Sequence, residues 1–529
     1  MTMEFAKQTE SVESGTVSLG IEFGSTNIKA VLIDEKFDIL ASGAHAWENN
    51  LVDGLWSYSL EDVKHGLQQA YANLDADVES KYGVHIKRVQ AVGISAMMHG
   101  YLAFDAEENL LVPFRTWRNT NTGNAVEKLS EVFDFNIPHR WSIAHLYQAV
   151  LDNETHVRDI AHLNTLAGYV HWLLSGERVL GIGDASGMFP IDSATRDYNQ
   201  TMVDKFEELT ADQPWKLRDL LPQIKVAGEQ CGLLTEEGAR LLDPSGNLEA
   251  GAVMCAPEGD AGTGMVATNA VSPRTGNVST GTSIFGMVVL EQPLSKPYAE
   301  LDMVTTPAGD DVAMVHCNNG ASELGEWAAI FADFAKRLGG EYSMSDVFQA
   351  LLESSVEADS DGGGLMFFNY LAGEPITGLD EGRPMFFRTP QSSFTLSNFV
   401  RVQLYAILAT LRIGMEILEN EGVGLDLLVG HGGFFKTAGV GQNVMANALR
   451  TKVSVSATAS NGGAWGIAVL AAYAAKPEGT LSEYLNNQVF ATTQFTTAEP
   501  KAEEMEGFDA FLARYRRALA VQQAAVENS

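Results

Sequence analysis

Two short segments carry residue types that phosphate chemistry requires. Gly20-Ile21-Glu22-Phe23-Gly24-Ser25-Thr26-Asn27-Ile28-Lys29 reads as two apolar strands around a tip of Gly24, Ser25 and Thr26. Such a tip offers backbone N–H groups and hydroxyls to phosphate oxygens, and Lys29 adds a positive charge. Glu22, just before the tip, is placed to hold a hydrated Mg²⁺, although a solvated glutamate beside a surface turn is the plainer reading. Gly259-Asp260-Ala261-Gly262-Thr263-Gly264 sets a carboxylate among small residues, which leaves room for a hydroxyl to approach. In phosphoryl transfer such a carboxylate takes the proton of the attacking hydroxyl. An aspartate at this place also reads as an ordinary helix cap.

Three further segments extend the pattern. Thr280-Gly281-Thr282-Ser283 repeats the chemistry of the first tip, and Gly430-His431-Gly432-Gly433 lacks side chains where an adenine ring would lie on the backbone. Taken singly, each is equally well an ordinary turn, and His431 reads as a packed or solvated histidine. Met97-Met98-His99-Gly100, followed by Trp117-Arg118-Asn119, suits a sugar: polar groups bond hydroxyls and an aromatic face covers the C–H side. The alternative for His99 is a core histidine beside a packed tryptophan.

These residues need a scaffold of strands and helices. Val17–Phe23, Ile28–Ile33 and Asp38–Ala44 read as strands, Leu60 to about Tyr82 has helical spacing, and Val89–Ile94 is a further strand. That order predicts an α/β layer whose first sheet is mixed. Ala125 to about Gly251 reads as mostly helical, with Trp141, Trp172 and Trp215 as core anchors. After the strand Ala252–Ala256, the hairpin pattern restarts at Asn277 and continues in Ile284–Leu290. Val400, Leu404, Ile407, Leu408, Leu411, Met415 and Leu418 mark one face of a long helix. Leu425–Val429 reads as a strand, and Gly441 to Leu449 and Gly462–Tyr473 as helices. Residues 1 to about 16 read as a polar tail.

Composition narrows the function. The 529 residues carry 68 acidic and 35 basic side chains, a formal charge of −33. A surface so acidic repels nucleic acid and anionic membranes, but leaves a shaped pocket for one nucleotide possible. Cys231, Cys255 and Cys317 form no C-x-x-C pair, which removes a disulfide framework and a structural zinc site. No basic start precedes an apolar run, and Val453–Ala475 is too polar in its first half for a span, so it reads as a buried turn and helix. A soluble, cytoplasmic protein is expected, and its acidic surface is compatible with a monomer, a homodimer or a tetramer. Familiar motifs fail on single residues: Phe435 replaces a P-loop glycine before Lys436, and Met97 stands where a nucleophile elbow needs glycine.

In order along the chain, Gly24-Ser25-Thr26, Met98-His99-Gly100, Asp184-Ala185-Ser186-Gly187, Gly259-Asp260, Gly281-Thr282-Ser283, Gly320 with Trp327, Leu371-Ala372-Gly373-Glu374, Gly432-Gly433 and Gly463-Ala464-Trp465-Gly466-Ile467-Ala468 are found. This set resembles the FGGY family of carbohydrate kinases, especially its pentulose kinases. The resemblance implies an α/β protein of two actin-like (ribonuclease-H-like) domains with a nucleotide cleft between them. Residues 1–268 would form the N-terminal domain, with the sugar and the base, and residues 269–529 the C-terminal, nucleotide-binding domain. By the same resemblance Asp260 would be the general base, and Met98, His99, Trp117, Asn119 and Asp260 would face the sugar. Gly24, Ser25, Thr26, Lys29, Gly281 and Thr282 would meet the phosphates, and Gly320, Gly432 and Gly433 would border the nucleoside. Glu22 and Asp260 would hold Mg²⁺.

Three positions depart from the family pattern: Glu22 where aspartate is usual, Trp117-Arg118-Asn119-Thr120-Asn121 in place of Trp-x-Asp-x-Arg, and Met97 where xylulose kinases tend to have glutamine. The expected reaction is ATP-dependent phosphorylation of the terminal hydroxyl of a ketose, foremost a pentulose (L-ribulose or D-xylulose). A kinase for a hexulose or another polyol, and a non-enzymatic actin-like ATP sensor, are the alternatives.

Overall fold

The computed structural model describes residues 2–456 and 462–529. They form two units: Met1–Val271 with Met303–Val312 and Asn461–Thr493, and Ser272–Asp302 with Ala313–Ser460 and Gln494–Ser529. The chain therefore does not divide at a single point near residue 268, because two later segments return to the first unit.

The first unit is built on β1 (Ser18–Phe23), β2 (Asn27–Ile33), β3 (Ile39–Ala46), β4 (Ala91–Ala96), β5 (Gln230–Leu233), β6 (Val253–Cys255) and β7 (Glu258–Gly259). The sheet order is β5-β6-β4-β1-β2-β3, with β7 beside β4. β1 and β2 are antiparallel, whereas β1, β6 and β7 each run parallel to β4. Nearly every residue of β1 and β4 is buried, as a sheet covered on both faces requires. Helix α1 (Leu60–Tyr82) starts at Ser59, whose side chain accepts the Asp62 N–H, and stops at Gly83 in the left-handed conformation. Helix α2 (Asp260–Ala267) follows β7, and helix α3 (Gly462–Ala475) closes the unit.

Small residues let α3 lie directly on its neighbours. A Cβ added to Gly20 of β1 would meet the Ala464 carbonyl at 2.1 Å, and one on Gly466 would meet the Thr263 carbonyl of α2 at 2.2 Å. The small-residue run in the sequence is thus a contact seam between helix and helix, and between helix and sheet.

The second unit contains β8 (Thr275–Thr280), β9 (Ile284–Val289), β10 (Asp311–Cys317), β11 (Leu427–Gly432) and β12 (Lys452–Ser456). These run β10-β9-β8-β11-β12 within a seven-stranded sheet. β8/β9 are antiparallel, and β8/β11 and β11/β12 are parallel. The order repeats β3-β2-β1-β4-β6, so the hairpin echo in the sequence is a repeated topology. The helix Leu396–Asn420 buries all seven residues of its predicted apolar face.

Some expectations are corrected. Thr2–Ser14 is helical rather than a tail. The middle region contains short strands as well as helices, and only Trp141 is fully buried. Trp172 and Trp215 are half-buried, Trp215 donating its indole N–H to the Val157 carbonyl at 2.7 Å. The expected buried turn before Gly462 falls on 457–461, outside the described residues. Among the described residues, no helix is long and apolar enough to cross a membrane.

Candidate active site

Strand register gathers the first group of residues. Glu22 pairs with Lys29 across the hairpin and with Ser95 on β4, while Ser95 and Ala96 pair with Glu258 and Gly259. The carboxyl ends of β1, β4 and β7 therefore stand side by side, where open α/β sheets place their ligands. From these ends emerge Glu22, the Met97–His99 loop and Asp260.

Asp260 opens α2, and its Oδ1 accepts the backbone N–H of Met98 at 3.2 Å. It stays open to solvent, yet protein crowds around it. Lost hydration first, and the Glu22 carboxylate second, lift its pKa to about 6, against the backbone N–H groups of Met98 and Ala261. A carboxylate poised there is ionised near neutral pH and still basic enough to take a proton. The cap position itself is Gly259 and Asp260 is the first helical residue, so the ordinary-cap reading of the aspartate does not hold.

Glu22 is half-buried, with Oε2 accepting the Ala464 N–H at 3.3 Å. A Cβ on Gly463 would lie 2.4 Å from Oε1. The carboxylate thus caps the positive end of α3. Burial raises its pKa, while Lys29 and the Ala464 and Gly463 N–H groups oppose that.

His99 is buried at φ 71°, with Nδ1 3.1 Å from the Gly187 carbonyl and its ring stacked on Trp141 at 6.4 Å between centroids. A Cβ on Gly187 would meet His99 Nδ1 at 2.6 Å and Met98 Cε at 2.8 Å. Asp184-Ala185-Ser186-Gly187 therefore wraps the His99 loop. Asp184 accepts the Thr165 hydroxyl at 2.6 Å and donates its own N–H to Glu258 at 3.0 Å. Burial first, and other carboxylates second, raise Asp184 to about 7 and Glu258 to about 8. No residue pattern assigned Glu258 a role. Its only signal was position, two residues before Asp260.

Asn119, expected to face the sugar, is buried and spends its amide on neighbouring backbone. Its Nδ2 donates to the Trp56 and Thr116 carbonyls at 2.8 and 3.1 Å, and its Oδ1 accepts the Trp56 N–H at 2.8 Å. Those bonds tie down the Leu55–Ser57 strand. Trp117 is 39% exposed, and Arg118 lies 3.9 Å from the centre of the Trp56 ring.

The first hairpin tip has a support that the sequence pattern did not reveal. The Trp47 indole N–H donates to the Gly24 carbonyl and the Tyr58 hydroxyl to that of Ser25, both at 2.7 Å. The Trp47 N–H donates to Thr26 O at 3.1 Å, and the Trp47 and Tyr58 rings stack at 4.0 Å. With three carbonyls held, Ser25, Thr26 and Lys29 remain exposed.

In the second unit, Gly281, Thr282, Gly320, Gly432 and Gly433 come together. Thr280 pairs with Gly432, which sets the β8–β9 tip beside the end of β11. Gly432 has φ 107°, and a Cβ there would meet the Thr280 carbonyl at 2.2 Å. Gly320 donates its N–H to Thr282 O at 2.8 Å, and its Cα faces the tip so closely that a Cβ would meet Gly281 O at 2.4 Å. Gly320 therefore props the tip from behind and faces it directly. Asn319 donates its N–H and Nδ2 to the buried Glu374 Oε2 at 3.3 and 3.1 Å. Burial raises Glu374 to about 7.

Two α/β units of one topology, each with a Gly/Ser/Thr hairpin tip at its strand ends, define the actin-like ATPase fold. Residues 17–244 match the N-terminal domain and 276–475 the C-terminal domain of the FGGY family of carbohydrate kinases, and the chain belongs to that family of sugar-phosphorylating enzymes. It is 23% identical to the xylulose kinase of Escherichia coli (strain K12) over 476 residues, covering 88% of this chain and 92% of that one. The ligand-bound xylulose kinase of Lactobacillus acidophilus superposes with TM-score 0.79 at 18% identity, over 95% of this chain and 98% of that one. A gluconate kinase of Lactobacillus acidophilus superposes with TM-score 0.78 at 18% identity, over the same shares.

Proposed function

We propose that the protein transfers the γ-phosphoryl group of ATP to the terminal hydroxyl of a ketose, and that this ketose is a pentulose, L-ribulose or D-xylulose. The observation that carries the reading is Asp260: a carboxylate at the strand ends, open to solvent, lifted to about 6 and tied to the His99 loop. Asp260 takes the hydroxyl proton as the sugar oxygen bonds to the γ-phosphorus and the bond to the β,γ-bridging oxygen breaks, releasing ADP. Ser25, Thr26 and Lys29, with Gly281 and Thr282, meet the phosphates, and Gly432 and Gly433 border the nucleoside. Met98, His99 and Trp117 orient the sugar.

Glu22 and Asp260 would hold Mg²⁺. The charge of Glu22 bears on Asp260, and among the described residues no three ligating side chains converge. That donor set fits magnesium, which binds through one or two carboxylates with water and substrate phosphates and would neutralise phosphate charge. Similarity to proteins named xylulose kinase supports the pentulose, and the gluconate kinase of equal fold makes sugar choice the point to test.

The test is coupled ADP release with Mg-ATP across L-ribulose, D-ribulose, D-xylulose, L-xylulose, L-rhamnulose, L-fuculose, gluconate and glycerol, with Asp260→Asn as control. L-ribulose or D-xylulose standing above the rest, and silenced in the variant, is the expected result. Preference for gluconate or glycerol would move the substrate, and silence on every sugar with ATP still bound would sink the reaction.

A further inference from the structure

Beside the first hairpin tip stands an arginine whose N–H groups the fold leaves free. The guanidinium carbon of Arg118 lies 3.9 Å from the centre of the Trp56 ring, and among the described residues no carboxylate pairs with it. The platform beneath it is fixed. The Trp56 N–H and carbonyl are both bonded to the Asn119 side chain at 2.8 Å, and the Thr116 N–H donates to the same carbonyl at 3.2 Å. A stacked guanidinium keeps its N–H edge for ligand oxygens, in a planar geometry that phosphate matches. Two routes tie Arg118 to the tip. Tyr58, two residues past Trp56, donates its hydroxyl to the Ser25 carbonyl at 2.7 Å. Thr116, two residues before Arg118, has its hydroxyl 3.5 Å from Asn49 Nδ2, and Trp47, two residues before Asn49, holds the Gly24 and Thr26 carbonyls. Burial lifts the Tyr58 hydroxyl to about 12, and the Arg118 charge opposes that lift.

We propose that Arg118 is a further catalytic residue, whose N–H groups bind the non-bridging oxygens of the phosphoryl group as it passes from ATP to the sugar. This role rests on the phosphoryl transfer proposed above. Charge is the reason a cation is needed there. Glu22 and Asp260 bring two carboxylates to the strand ends, and Lys29, paired with Glu22 across the hairpin, already spends its charge on that neighbour. The γ-phosphoryl group adds more negative charge, whereas a neutral ketose offers a guanidinium no anion. Arg118 adjoins Trp117, the residue proposed to orient the sugar, and its charge reaches the tip proposed to meet phosphate, so it serves the point where the two meet. In the step itself the sugar oxygen bonds to the γ-phosphorus, the bond to the β,γ-bridging oxygen breaks, and Asp260 takes the hydroxyl proton. Arg118 keeps all its protons and neutralises charge on the equatorial oxygens.

Steady-state kinetics of the full chain, with whichever sugar the wild type phosphorylates, test this. Arg118→Met keeps an unbranched stem over Trp56 and removes the charge. It should lower kcat by about 10²–10³-fold, with the urea midpoint unchanged and the sugar KM within about threefold. In Arg118→Ala, added guanidinium ion should restore turnover saturably by about tenfold, whereas Asp260→Asn should not respond. A second arm needs no sugar: orthovanadate with Mg-ADP should raise the melting temperature of the wild type above that with Mg-ADP alone, and should not do so in Arg118→Met. Turnover of Arg118→Met within about threefold of wild type, guanidinium without effect, or a vanadate shift that is absent from the wild type or survives the substitution would overturn the proposal. So would a loss confined to gluconate, which would make Arg118 the reader of an acceptor carboxylate. Silence of the wild type on every sugar would sink the phosphoryl-transfer reading, and the vanadate arm would still decide whether Arg118 grips the phosphoryl position.

Discussion

The Met98 N–H donates to Oδ1 of Asp260 across 3.2 Å, so the main chain that carries His99 is fixed by the carboxylate itself. Asp260 and the His99 loop are one hydrogen-bonded piece. Removing the side-chain oxygen would, on the proposed reaction, disturb both the proton acceptor and the loop that carries His99.

Asp260→Asn keeps an oxygen for Met98 but removes the base. Its kcat should fall by roughly 10²–10⁴-fold, while ATP should still raise the melting temperature. Turnover within tenfold of wild type would remove Asp260 from the proton transfer.

The pKa near 6 has a visible consequence in rate. Above it Asp260 is ionised, and below it the base is protonated, so kcat/KM should be level above about pH 7 and fall tenfold per pH unit on the acid side. Glu22→Gln removes the second cause of the lift and should move the acid limb to lower pH at saturating Mg²⁺. A limb that stays in place would show that Glu22 has no electrostatic hold on Asp260.

Tyr58→Phe deletes one donor, the hydroxyl on the Ser25 carbonyl, and leaves the stack on Trp47. A net hydrogen bond is worth about 1 kcal/mol, so kcat/KM for ATP should drop about fivefold with sugar KM unchanged. Equal losses for sugar and ATP would show a general disturbance rather than a prop under the phosphate tip.

For Asn119 the expected phenotype is in stability. Asn119→Ala removes the buried bonds to Trp56 and should cost about 1–3 kcal/mol, read as a lower urea midpoint. A raised sugar KM at unchanged midpoint would return Asn119 to the sugar site.

Glu374 gives a stability effect with a definite sign. Its folded pKa of about 7 lies above the unfolded value near 4.5, so the folded state holds its proton longer. The stability linked to that proton is present below the unfolded pKa and is lost as pH rises through about 7. Urea midpoints of wild type and Glu374→Gln should therefore converge at acid pH, relative to a wider gap in favour of the variant at pH 8. A gap independent of pH would place the carboxylate's ionisation elsewhere.

Local features were the most legible in the sequence. The hairpin tips at Gly24 and Gly281 are written in small residues between apolar runs, and α1 is bounded by Ser59 and Gly83, whose cap chemistry is local. The two-domain α/β class followed from such pieces in order. What escaped depends on residues far apart in the chain. Trp47 and Tyr58 beneath the tip, and Asn119 beneath Trp56, act through backbone bonds that no spacing rule encodes. The helix Gly462–Ala475 was readable as a close-packed helix, but its place in the first unit depends on Glu22 receiving the Ala464 N–H, 442 residues later.

That last contact reaches back to the ribosome. The sheet that holds Glu22, and from whose last strand Asp260 follows, lacks its covering helix until Gly462–Ala475 has been synthesised, and its unit is complete only at Thr493. At about 5–20 residues per second, the stretch from Val271 to Thr493 takes roughly 10–45 s to emerge. Throughout that interval the nascent first unit exposes the bare face over Gly20 and Gly93, so chaperone occupancy of stalled chains should end only when the stall site moves past the end of α3 and clears the exit tunnel.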